Sequence, residues 1–141
     1  MPGPVRPPIG LHLSRVARDA SRAFDAALVA AGGSQPVWLV LVSLKSRALA
    51  NQRELADAVG IQEATLTHHL NAMETSGLVT RRRDPGNRRV HLVELTPAGD
   101  ALFFQLKEAA TAFDEQLRSG LSEADLTQLR ELLDRLHDNV A

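Results

Sequence analysis

Apolar residues recur at helical spacing along most of the chain, and the pattern turns strand-like in one short stretch. Leu13, Val16, Ala17, Ala20, Phe24, Ala27 and Leu28 form a single stripe between Leu11 and Ala31, and Gly32-Gly33 ends it. Pro36 suits a first helical position, and Val37–Leu44 is apolar nearly all round, which predicts a buried helix. Asn51 and Glu54 have the spacing of a capping box, in which the carboxylate reaches back to the N–H of the cap. Leu55, Ala56 and Val59 give the helix they open one apolar face, and Gly60 stops it. Ile61 restarts the pattern, which Leu66, Leu70 and Met73 carry to Gly77. Thr96 before Pro97 opens another helix, with Leu102, Phe103, Leu106, Ala109, Ala110, Phe113 and Leu117 as its stripe. Ser122 and Asp125 make a second capping box ahead of Leu126, Leu129, Leu133 and Leu136.

The strand-like stretch follows Gly77. Leu78–Arg83 and Arg89–Leu95 read as two strands, joined by Asp84-Pro85-Gly86-Asn87-Arg88, where Pro and Gly demand a turn. Upstream, small Ala56, the turn at Gly60 and apolar Leu66 have the spacing of two helices that cross steeply, a helix-turn-helix. A hairpin directly after it makes a winged helix. The expected fold is therefore mainly α with a small β wing: a winged helix-turn-helix domain flanked by N- and C-terminal dimerisation helices. In residue terms, 1–8 is a disordered arm and 9–141 a single domain. Within that domain 9–34 and 97–141 are the dimerisation helices, and 35–96 is the winged helix-turn-helix with its wing at 79–95.

The stretch Leu55–Leu102, LADAVGIQEATLTHHLNAMETSGLVTRRRDPGNRRVHLVELTPAGDAL, resembles the core of the MarR (multiple antibiotic resistance regulator) transcription factors. The elements that carry the resemblance are the Leu-Ala run, the helix after Gly60, Gly77-Leu78-Val79, the arginine-rich wing, and Leu95-Thr96-Pro97-Ala98-Gly99. With the flanking helices it covers roughly residues 9–140. Two positions depart from the family pattern. The wing's Asp-x-Arg reads Asn87-Arg88-Arg89, and Gln62 stands where the family often has a Ser or Thr cap. The resemblance implies a dimeric repressor that binds a palindromic operator and is released by a small molecule, an aromatic or phenolic effector bound between the helical layer and the winged helix. His12, Arg15, Trp38 and Phe104 are the candidates for that cleft, although a Trp on so apolar a helix is more often plain core.

The chain has 141 residues, one domain's worth, with a net charge of only −1 and no cysteine. The small net charge conceals an uneven distribution. Residues 97–141 hold nine acidic and four basic side chains, whereas the wing segment 80–91 has five arginines against Asp84 alone. A local field of this kind attracts phosphates despite a neutral total. Standing alone, such a run would be read as a solvated hairpin. Without cysteine the chain has no thiol-based sensing, and its composition fits a reducing, cytoplasmic setting. No apolar run is long enough to cross a membrane, and the proline-rich start is not a secretory signal.

Wheel geometry places the chemistry of the helix after Gly60. With Leu66, Leu70 and Met73 inward, Ala64, His68, Asn71 and Thr75 point away, and Thr65 and Thr67 lie on the flanks. In this motif the first half of the second helix enters the major groove. The DNA-binding candidates are therefore Gln62, Ala64, Thr65, Thr67, His68 and Asn71, with Arg81, Arg82, Arg88 and Arg89 on the wing and Arg89 at the position of the family's wing-tip arginine. No Lys or Arg occurs between Arg53 and Arg81, so base reading rests on neutral polar side chains. His69 is expected half-buried and His91 and His137 incidental. No cofactor motif, metal-ligand spacing or catalytic set is legible, so the chain is not read as an enzyme. The partners expected are double-stranded DNA and a second copy of the chain, because a two-fold dimer doubles what one helix reads. The rival reading is a winged helix that binds protein without sequence-specific DNA binding.

Overall fold

The computed structural model describes residues 3, 5–47 and 49–141. Among the described residues six helices and three strands follow one another as α1 (Ile9–Ala30), α2 (Gln35–Ser46), β1 (Leu49–Asn51), α3 (Gln52–Val59), α4 (Glu63–Thr75), β2 (Val79–Asp84), β3 (Asn87–Leu95), α5 (Pro97–Leu117) and α6 (Glu123–Val140). Residues 1, 2 and 4 of the expected arm lie outside the described residues. Positions 3 and 5–8 carry neither helix nor strand.

The helix boundaries follow from their caps. Ser34, Asn51, Thr96 and Ser122 each accept a backbone N–H of the first turn through the side chain, and Pro36 and Pro97 occupy first-turn positions where an N–H has no helical partner. Gly60 closes α3 in the left-handed region at φ 78°, a conformation that costs other residues their Cβ clearance. The Ser122–Asp125 capping box is complete in both directions. The box expected at Asn51 is only half formed. Asn51 Oδ1 takes the Glu54 N–H at 2.7 Å, but the Glu54 carboxylate turns to the Asn51 amide and the Arg47 guanidinium, both at 2.6 Å, and leaves the cap's own N–H alone. A guanidinium within reach is the stronger donor.

β1, β3 and β2 form a three-stranded antiparallel sheet with β3 in the middle. β1 went unforeseen: three residues are too few to show a period, and what makes it a strand is its pairing of Ala50 with Val93, both buried. One core joins the elements. Leu28 of α1, Val40, Leu41 and Leu44 of α2, Leu55 and Ala56 of α3, Leu66, Leu70 and Met73 of α4, Val79 and Val93 of the sheet, and Phe103 and Leu106 of α5 are buried together. The expectation that α2 is buried all round is too strong, since Leu39 keeps 38% of its surface exposed. Stacked pairs fasten the long helices: Phe24 on Phe113 at 5.1 Å and Trp38 on Phe103 at 5.6 Å.

Only the C-terminal part of α1 joins that core. Leu11, Leu13 and Val16 further up the same helix are 40–52% exposed, and Leu129, Leu132 and Leu133 of α6 are 39–45% exposed. Leu126 is the one buried residue of α6. The two ends of the chain thus present apolar faces that the rest of the protomer does not cover. Among the described residues, no single helix is long and apolar enough to cross a membrane.

Candidate nucleic-acid interface

α3 and α4 pack as the crossed pair of a helix-turn-helix, and α4 turns Leu66, Leu70 and Met73 into the core. Its opposite face is polar and solvent-exposed: Glu63, Ala64, Thr65, His68 and Asn71 lie there, with Gln62 at the N-cap. Gln62 does not use its side chain to cap the helix, which leaves the amide exposed at the helix entrance. His68 is exposed and meets His69 edge-to-face at 5.7 Å, and His69 is half-buried as expected.

Two of the residues expected on this face are engaged inside the protomer. Thr67 is half-buried; its hydroxyl donates to the Glu63 carbonyl at 2.9 Å and accepts from the Gln52 amide, joining α4 to α3. Asn71 Oδ1 accepts from the Arg81 guanidinium. The side chains that remain unengaged and outward are therefore concentrated in the first turn and a half of α4: Gln62, Ala64, Thr65 and His68.

The wing owes its shape to an irregular register. Arg83 pairs with His91 but Asp84 pairs with Asn87, so Arg88, Arg89 and Val90 bulge from β3 just past the turn at Pro85-Gly86. Side-chain oxygens hold the tip. Asp84 Oδ1 accepts from Gly86 N–H at 2.9 Å, and Asn87 Oδ1 accepts from Arg89 N–H at 3.2 Å. The five arginines divide into two groups. Arg83 donates to the Arg88 carbonyl at 2.7 Å, bracing the bulge, and Arg81 is tied to Glu74 and Asn71. Arg82, Arg88 and Arg89 are exposed and make no ion pair among the described residues.

Between the wing and the helices lies a cleft of about 420 Å³, lined by Asn51, Gln52, Arg53, Glu63, Arg89, Val90 and His91. It brings Arg53 from the start of α3 to the same concavity as Arg89. Arg53 carries no sign of this place in the sequence, because nothing in one dimension shows that the start of α3 and the bulge of β3 are neighbours.

The four effector candidates are not gathered in one place. His12 and Arg15 sit on the exposed upper part of α1. Trp38 is half-buried against Phe103, and Phe104 is half-exposed, edge-on to Phe103 at 5.2 Å. Lys45, ion-paired with Asp100, stands over the Phe103 and Phe104 rings at 5.6 and 5.0 Å. The pair Trp38 and Phe104 shares a neighbourhood at the α2–α5 contact. His12 and Arg15 do not reach it within one protomer.

A sequence profile of the MarR family matches residues 34–91, the stretch from the cap of α2 to the wing. A solved MarR-family transcriptional regulator from Rhodococcus sp. RHA1 is 30% identical, with 91% of each chain covered and a TM-score of 0.78. This chain belongs to the MarR family. The solved transcriptional repressor CouR, bound to a 23-mer DNA duplex, is 27% identical over 92% of both chains with a TM-score of 0.82. An uncharacterized HTH-type transcriptional regulator from Bacillus subtilis (strain 168), YdgJ, is 31% identical over 90 residues, 64% of this chain. The match spans 55% of that relative's length, a little over half.

Both departures from the MarR pattern have structural consequences. Asn87 in place of the wing aspartate still supplies an oxygen to the Arg89 N–H, so the backbone is held while the carboxylate's charge is gone. Gln62 in place of a Ser or Thr cap leaves the first turn of α4 without a side-chain acceptor.

Proposed function

We propose that this protein is a DNA-binding transcriptional regulator, a dimeric repressor that binds a palindromic operator in the cytoplasm and is released by a small-molecule ligand. The observation that carries the reading is the juxtaposition of two surfaces across one cleft: the outward face at the start of α4, and the bulged wing whose Arg82, Arg88 and Arg89 make no ion pair among the described residues. Gln62, Thr65 and His68 read base edges in the major groove, with Ala64 as an apolar contact for a thymine methyl. Arg89 reaches the minor groove, and Arg82, Arg88 and Arg53 neutralise phosphates. Support comes from the fold shared with CouR, which was solved on a DNA duplex.

The dimer is supported by the uncovered leucines of α1 and α6, which would otherwise face water as a contiguous apolar surface. Two copies related by a two-fold axis present two α4 helices to successive major grooves, hence a palindromic site. The reading assigns an aromatic or phenolic effector to the neighbourhood of Trp38 and Phe104, where an acid group on it would compete with Asp100 for Lys45. The experiment is selection of bound duplexes from a random library. Enrichment of an inverted repeat with half-sites one helical turn apart supports the reading. Recovery of no duplex above background at low salt refutes it and leaves a protein-binding winged helix.

A further inference from the structure

Arg81 is set apart from the other wing arginines by its surroundings. Its side chain is only 18% exposed and turns back from β2 onto the last turns of α4. There the guanidinium donates to Asn71 Oδ1 and, at 3.2 Å, to Glu74 Oε1. The second oxygen of the same carboxylate accepts the Arg81 backbone N–H, also at 3.2 Å. β2 is an edge strand, so that N–H faces away from β3 and would otherwise lack a protein partner. One residue of the wing is thus held to the recognition helix by main chain and side chain together. The Arg81 hydrogen bond is the largest cause that keeps the Glu74 carboxyl below its ordinary value of 4.5, as expected of a carboxylate that accepts charged donors.

We propose that Arg81 is a positioning residue rather than a phosphate contact: with Glu74 and Asn71 it brackets the wing to the recognition helix and sets the angle at which the wing meets DNA. The inference rests on the DNA-binding reading above. A lever explains why the bracket matters. At about 3.3 Å per residue, the turn at Pro85-Gly86 lies roughly 15 Å beyond Arg81, so a tilt of about 10° displaces it by about 3 Å. That displacement exceeds the tolerance of a hydrogen bond, and Arg88 and Arg89 sit on the part that moves. The bracket lies at the base of the wing, where a small angular restraint has the largest effect at the tip.

The two roles predict opposite outcomes for the same substitutions. The test measures affinity for random duplex, and for the selected operator, over a range of salt, with wild type, Arg81→Lys, Arg81→Ala, Glu74→Gln and Arg82→Ala. As a bracket, Arg81→Lys and Arg81→Ala both weaken operator binding roughly tenfold, because the lysine nitrogen stops one bond short of the Nη2 that makes both side-chain contacts. Glu74→Gln weakens it as well. The salt dependence of the Arg81→Lys and Glu74→Gln proteins stays that of wild type, whereas Arg82→Ala lowers the slope by about one. As a phosphate contact, Arg81→Lys would bind almost like wild type, Arg81→Ala would lower the slope as Arg82→Ala does, and Glu74→Gln would tighten binding by freeing the arginine and removing a repelling charge. That second pattern overturns the proposal. Amide exchange in the DNA-free protein supplies an independent arm: the Arg81 N–H and the wing amides exchange faster in Glu74→Gln, and unchanged exchange overturns the bracket. Failure of wild type to bind any duplex overturns the DNA-binding reading instead, a result separable from both.

Discussion

Gly99→Ala tests how α5 is joined to the winged helix. Thr96 stands at that junction. Its N–H donates to the Leu78 carbonyl at 3.1 Å, its hydroxyl donates to the Gly77 carbonyl, and the same hydroxyl accepts the Gly99 N–H at 3.1 Å. The helix start is therefore drawn tightly against the corner between α4 and β2. A Cβ on Gly99 would lie 2.1 Å from the Leu78 carbonyl oxygen and 3.1 Å from Leu95 Cδ2. Carbon against a carbonyl oxygen needs about 3.3 Å, so the first turn of α5 must retreat by about 1 Å. The retreat breaks the Thr96–Leu78 hydrogen bond, at about 0.5–1.5 kcal/mol. Overpacking against backbone adds about 1–3 kcal/mol. Alanine returns at most about 1 kcal/mol through helix propensity. With the middle of each range the net loss is about 2–3 kcal/mol, which for a chain of this size lowers Tm by roughly 6–12 °C. Thermal unfolding followed by circular dichroism measures it, at one fixed protein concentration because association would shift Tm. A variant melting within about 2 °C of wild type would refute the steric reasoning, because no rotamer change can relieve a clash with backbone.

Gly33→Ala probes a softer contact. Its Cβ would meet Leu106 side-chain atoms at 2.6 and 2.9 Å, so it destabilises by about 1–3 kcal/mol; adding Leu106→Ala should then cost less than it does in wild type, and strict additivity would sink the contact. Leu129→Glu with Leu133→Glu should convert a dimer to monomer in sedimentation at micromolar concentration, and an unchanged dimer would exclude this face of α6 from the interface. Arg89→Ala should cost about 1–3 kcal/mol of operator affinity, and an unchanged dissociation constant would remove Arg89 from the groove. Glu74 has a folded value below 4.5, so its contribution to the wing bracket is complete above pH 4.5 and is lost as pH falls through that lower folded value. Carboxyl titration by NMR should therefore show a Glu74 midpoint below 4.5, returning toward it in Arg81→Ala; a midpoint equal in the two proteins would contradict the pairing.

The helices and the hairpin of this fold were legible in the sequence because their signals are local. The caps at Asn51, Thr96 and Ser122 and the stop at Gly60 act within one turn of helix, so the boundaries of α3, α5 and α6 can be read from a few neighbouring residues. The core face of α4 follows from spacing alone, since Leu66, Leu70 and Met73 recur on one side whatever they pack against. The hairpin announces itself through Pro85-Gly86. What one dimension withheld was the choice of partner. Glu54 had two guanidinium and amide donors to choose from besides the cap N–H, and only the nearness of Arg47 decided the matter. Five wing arginines look alike as a run, but the alternation of strand faces and the bulge at Arg88–Val90 separate Arg81 and Arg83, held internally, from Arg82, Arg88 and Arg89. β1 is a strand only because β3 offers it an edge. Periodicity and capping chemistry, being short-range, belong to the sequence; which charge is engaged and which is free depends on distances between residues far apart in the chain, and only the packed structure decides those.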